Sequence, residues 1–149
     1  MILNVTNDSH LVRDALRKLQ LRLVDSRPLM GLIGAAFVQS ARKRIAMTKQ
    51  APNGQAWRPL SQRTIAERAA EGRNTTDILR RTSALLNSIQ IGELTANRVV
   101  VGTPLHYAGK HQFGDPANRI PARPFIGLSD EDKQDIEEVA LSYVRAGIE

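Results

Sequence analysis

The chain has 149 residues, 42% of them hydrophobic and 24% charged, enough for one ordinary globular domain and short for two. It contains no cysteine, which excludes disulfides, cysteine nucleophiles and thiolate metal sites. The net charge of +6 is unevenly placed: residues 1–75 hold 13 Lys/Arg against 5 Asp/Glu, and residues 76–149 hold 8 against 10.

From Asp8 or Ser9 as cap, Val12, Ala15, Leu16, Leu19 and Leu23 recur at spacings of three and four, which predicts an amphipathic first helix within a peripheral basic segment, residues 1–27. Its polar face carries Arg13, Arg17, Lys18 and Arg22. A second helix opens at Ser26 as a possible cap, with Pro28 in its first turn, and its apolar positions run from Leu29 to Ile45 before it ends near Lys49. Pro52-Asn53-Gly54 is turn chemistry, and it leads to Trp57, the one tryptophan, expected with Pro59 to anchor its loop on the core. A shorter third helix is capped by Ser61, and "ILRRTSALLNSI" predicts a fourth, with a break at Thr82-Ser83. "SIQIGELTANRVVVGT" changes to a hairpin period, and "RPFIGL" is expected as a further short strand. The last helix has Ser129 as cap and Asp132 three residues on, a capping box, with Ile136, Val139, Ala140, Tyr143 and Val144 on its buried face. Its first turns, "DEDKQDIEE", predict a solvated acidic face or a surface for a basic partner. The fold class expected is α+β: a small, mainly antiparallel sheet packed against several helices, the second and last above all, in one domain spanning 1–149.

The sequence is poor in chemistry. No apolar run approaches the roughly 18 residues of a membrane span, and the N-terminus has no basic lead, so neither a span nor a signal peptide is expected. His106 and His111 are five apart, on different helix faces, and no carboxylate stands at metal-site spacing, so no metal and no cofactor is expected. "GKH" at 109–111 lacks the flanks of a phosphate loop, there is no Gly-x-Ser-x-Gly elbow, and the paired acids share an exposed helix with nothing apolar to separate their pKa values. "TIAERAAEGRNTTDILRRTSALLNSI" resembles a helix-turn-helix, with Arg80 and Arg81 on its second helix, but its turn is long and lacks the usual glycine. A DNA-binding regulator using the basic half is therefore the alternative reading, with specific DNA binding disfavoured.

The most unusual stretch is "HQFGDPANRIPARPFIGLSDED", residues 111–132, which gathers prolines, glycines and arginines around Phe113 and Phe125. Taken with "PNGQAWRPLSQRT", with Leu79 to Ser83, and with Tyr107-Ala108 through His111-Gln112-Phe113-Gly114, it resembles the bacteriophage virion morphogenesis family, the tail-completion proteins of Mu-like and related tailed phages. The resemblance spans about residues 28 to 145. It implies a non-enzymatic virion protein made in the host cytoplasm that acts at the tail end or neck of the particle, with no catalytic residue to inherit. It also implies a ring of identical copies that meets tail tube, terminator or head-tail connector proteins. Pro121 and Pro124 hold "IPARPF" extended with little entropy left to lose on docking. The expected interface is therefore Phe113, Gly114, Arg119, Pro121, Arg123, Pro124 and Phe125, with Glu137 and Glu138 as the opposite charge on a neighbour.

Overall fold

The computed structural model describes residues 9–147; Asp8, one of the two candidate caps of the first helix, lies outside them. Among the described residues the chain forms six α-helices and one two-stranded antiparallel sheet, the α+β class expected. The elements are α1 (Ser9–Val24), α2 (Arg27–Lys43), α3 (Gln62–Ala70), α4 (Ala84–Ser88), β1 (Gln90–Leu94), β2 (Val99–Gly102), α5 (Ala108–Phe113) and α6 (Asp130–Arg145).

Helix α2 is the hub, because both the hairpin and α6 pack against it. Its start follows the proline, which stands in the first turn, but the Ser26 hydroxyl makes no capping bond and donates back to the Leu23 carbonyl. Asp25 does the satisfying instead, accepting from the Arg27 amide at 3.1 Å and from its guanidinium. At its other end α2 widens into a π-helical turn, Arg44–Thr48, and stops at Lys49, whose left-handed φ of 55° closes the helix. The hairpin can approach α2 only because residue 34 is glycine: a Cβ there would stand 2.7 Å from Val99 Cγ2 and 2.8 Å from Ile91 Cδ1. β1 and β2 pair Ile91 with Val101 and Leu94 with Val99 around a bulge, and the turn closes with Thr95 N–H on the Arg98 carbonyl.

Two expected elements are different in the structure. "RPFIGL" is no strand: residues 123–128 join no ladder and bend at 126–127, so among the described residues the sheet is the hairpin alone. The reason is local, since Pro121 and Pro124 remove the amides a ladder needs; the Arg123 amide donates to the His111 carbonyl at 2.7 Å, and side chains take other backbone groups of the segment. Gln112 Oε1 accepts from the amides of Phe125 and Ile126 while its Nε2 donates to the Ile126 carbonyl at 2.8 Å. Arg44 donates to the carbonyls of Phe125 and Gly127, and Trp57 Nε1 to that of Pro124. The fourth helix is also shorter than expected, because Leu79 and Ser83 adopt φ values of 61° and 58° and confine it to residues 84–88.

The buried core is Ala41, Ile45, Trp57, Ile78, Leu79, Leu85, Ile89, Ala108 and Phe125. It joins the end of α2, the tryptophan loop, the 78–89 region and the proline segment. Helix α3 starts as expected, its cap Ser61 accepting from Thr64 N–H, and α6 shows the full capping box between Ser129 and Asp132. Asp132 is not part of an exposed acidic face. It is buried and paired with Arg44, itself buried on α2. Burial alone would raise its carboxyl pKa, but hydrogen bonds from Ser40 and Ser129 and the Arg44 charge outweigh that and hold it below the usual value.

Candidate functional site

The 111–125 segment and α3 enclose a cleft of about 1160 Å³, and arginines dominate its walls: Arg58, Arg63, Arg68, Arg119 and Arg123 against Glu67. Glu67 is already engaged by Arg63 one helical turn away. Arg68 and Arg123 are buried, and neither has a carboxylate in ion-pair contact among the described residues. Arg123 instead donates to the carbonyls of Arg58 and Pro59, each at 2.9 Å, and Arg68 to those of Asn74 and Asp77. Burial lowers the pKa of both guanidinium groups, and nearby positive charge, Arg68 on Arg123 and Arg81 on Arg68, lowers it further. The cleft is therefore strongly cationic at its floor.

His111 lines the same cleft, and its pKa is lowered by burial and then by the Arg123 charge, which keeps the ring neutral at pH 7. Its Nδ1 is buried without a hydrogen-bond partner, and Tyr107 meets the ring edge-on at 6.0 Å. Beyond it the chain makes a closed loop. Gly114 takes φ 82°, where a Cβ would lie 3.0 Å from the Ala122 amide nitrogen, so the position requires glycine. Asp115 caps a 3-10 turn at Pro116–Asn118 and pairs with Lys110 at 3.0 Å, and Arg119 follows with a left-handed φ of 55°.

The residues expected to form one interface divide in two. Phe113 is 81% exposed at the cleft rim, Arg119 is exposed beside it, and Pro121 and Pro124 are half-buried. Arg123 and Phe125, expected to reach a neighbour, are inside the chain: Phe125 is core and Arg123 ties the proline segment to the tryptophan loop. The correction has a simple origin, since "RPF" supplies a fork of donors and an aromatic ring to a segment that has no strand partner of its own. Trp57 is buried and Pro59 is exposed, its carbonyl taken by Arg123. Glu137 and Glu138 are both exposed on α6, but only Glu138 lines the groove between α6 and α2.

The helix-turn-helix is not formed. Residues 71–83, rather than a tight turn, separate α3 from α4, and Arg80 and Arg81 stand in that connection, held by Asp77 and Glu71. Sequence reading missed Arg44, Arg68 and Gln112. For Arg44 a signal was available: it interrupts the apolar stripe that runs through Ala41 and Ile45, and a charge on such a stripe needs a buried partner. Among the described residues no group of three or more His, Asp or Glu side chains could hold a metal ion, and no helix is long and apolar enough to cross a membrane.

The described residues form a small α+β body with a charged cleft and an exposed aromatic side chain at its rim. The chain belongs to the phage virion morphogenesis family, whose model matches residues 7–145. It is 33% identical over 142 residues to the Mu-like prophage FluMu G protein 2 of Haemophilus influenzae, covering 92% of this chain and 91% of that one. It is 29% identical over 126 residues to tail completion protein S of Escherichia phage P2, covering 79% and 83% of the two chains, and 28% identical over 152 residues to putative capsid assembly protein G of Escherichia phage Mu, covering 98% and 96%. No solved structure matches it significantly. Its role is thus in phage assembly.

Proposed function

We propose that the protein is a non-enzymatic structural component that completes the tail of a tailed phage or prophage, or forms part of the neck at the head-tail junction, as a ring of identical copies. The observation that carries this is the separation of charge over the surface. One face holds the arginine-lined cleft with Phe113 and Arg119 at its rim, and α6 exposes Glu137 beyond its ion-paired first turn. Opposite charges on different faces of one chain favour head-to-tail association, which closes into a ring when the rotation between copies permits. Phe113 supplies the apolar anchor and Arg119 the forked donor, while Gly114 and Pro121 hold the loop that presents them. The ring's other faces meet tail tube, terminator or connector proteins within the virion, after assembly in the host cytoplasm. The name of the P2 relative, a tail completion protein, supports the same assignment.

Deletion of the gene from the phage or prophage that encodes the protein tests it. Filled heads and separate tails that fail to join, seen by electron microscopy and restored by the wild-type gene but not by a Phe113→Asp/Arg119→Glu variant, are expected. Normal, infectious particles from the deletion would overturn the assignment.

A further inference from the structure

Helix α1 is amphipathic, yet its apolar face is only partly covered. Leu16 is 60% and Leu23 51% exposed, while Ala15 and Leu19 are half-buried. Contact with the body is made at its C-terminal end: the Arg22 guanidinium lies 5.4 Å from the Tyr143 ring centroid and donates to the Tyr143 carbonyl at 3.2 Å, and Leu19 Cδ1 lies against Gly147. Arg22 Cδ lies against Gly147 as well, so α1 meets the body at the C-terminal end of α6. Nearer its start α1 is an arm with Leu16 and Arg17 exposed.

A groove of about 1030 Å³ runs between α2 and α6. Its α2 wall offers Leu32 and Met47, half or more exposed, and its α6 wall offers Val139. Glu131, Asp135 and Glu138, at spacings of four and three, form an acidic rail along α6. Glu131 is engaged by Lys43, but Asp135 and Glu138 have no ion pair among the described residues. Arm and groove are complementary in two respects. The arm is basic, with Arg17 exposed beside the apolar stripe, and the rail is acidic. Both carry exposed leucine or methionine.

We propose that α1 of one copy docks into the α2–α6 groove of a second copy, so that each chain gives an arm to one neighbour and takes one from the other. The chain's own arm does not fill the groove, because Leu16 and Arg17 are exposed and neither lines it. The arrangement rests on the self-association proposed above and supplies a contact for it: apolar burial of the leucine face holds the arm, and Arg17 against Asp135 and Glu138 sets its register.

The lack of cysteine makes the test clean. Leu16 stands at the middle of α1 and Gln39 near the middle of the groove's α2 wall, so they meet whichever way the arm runs. Leu16→Cys in one protein is mixed with Gln39→Cys in a second of different tagged size, and the mixture is oxidised. A mixed disulfide-linked pair is expected, with none when Glu93→Cys on the hairpin replaces Gln39→Cys. Arg17→Glu, folded by circular dichroism, should weaken self-association in sedimentation about tenfold, and Glu138→Arg should restore part of the loss. Wild-type oligomers with no Leu16–Gln39 link and an unaffected Arg17→Glu variant would overturn arm exchange and leave ring assembly standing. A link formed only when both cysteines are in one monomeric chain would also overturn it. A wild type that stays monomeric at every concentration would remove both readings.

Discussion

The Arg44–Asp132 pair shows how one buried contact can join three parts of the chain. Arg44 comes from the end of α2, Asp132 from the capping box of α6, and the same guanidinium binds two carbonyls of the proline segment. Removing one partner leaves a charge buried alone, so Asp132→Asn should cost about 3–5 kcal/mol at pH 7 in chemical denaturation. Because the folded carboxyl has a lowered pKa, its stabilisation is present above the unfolded value of about 3.9 and is lost as pH falls through the lower folded value. The stability curves of wild type and Asp132→Asn should therefore converge only in strong acid; a constant gap down to pH 2 would contradict the pairing. Trp57 has a different role, with its ring in the core and its indole N–H on Pro124. Trp57→Ala should cost about 3–5 kcal/mol, whereas Trp57→Phe, which forfeits chiefly the hydrogen bond, should cost about 1 kcal/mol, both read from urea midpoints. Equal losses from the two would mean that the hydrogen bond, not the packing, holds the loop.

Among the elements, α2 organises the rest, and its two glycines at 31 and 34 separate packing from propensity. Gly34→Val would drive its side chain into Val99 and Ile91, costing about 1–3 kcal/mol and displacing the hairpin. At Gly31 the nearest atom to an added Cβ is 3.9 Å away, so Gly31→Ala should stabilise by about 0.5–1 kcal/mol through helix propensity alone. Thermal melts of the two variants moving in the same direction would contradict this placement of the hairpin. The helices and the hairpin were legible because their apolar periods and caps are local properties: Ser61, Ser129 and the Ile91–Val101 alternation each act within a few residues. The proline segment was legible as stiff and unusual but not as inward-facing, because its fate depends on Gln112, Arg44 and Trp57, which lie far off or on other elements. Gln112→Ala tests that dependence: hydrogen exchange at the amides of Phe125 and Ile126 should accelerate sharply, since both lose their acceptor.

At the scale of the molecule, the cleft's buried Arg68 and Arg123 have no ion pair among the described residues, Phe113 is exposed, and Leu16 and Leu23 of α1 face outward. The family membership carried by residues 7–145 is the ground on which they are proposed as assembly contacts. Of the candidate site, the sequence made Phe113 and Arg119 visible through their unusual setting. It could not show that Arg123 and Phe125 are used internally, because exposure is a property of the fold rather than of a motif. Association driven by separated charges is screened over about 8 Å at physiological ionic strength, so it should weaken with salt. Sedimentation velocity of the wild-type protein across a salt series tests the central claim most directly. The account predicts one discrete oligomer, ring-shaped by negative stain, that dissociates toward monomer as salt rises and is weakened by Arg119→Glu. A monomer at low salt and high protein concentration, with Arg119→Glu indistinguishable from wild type, would contradict it.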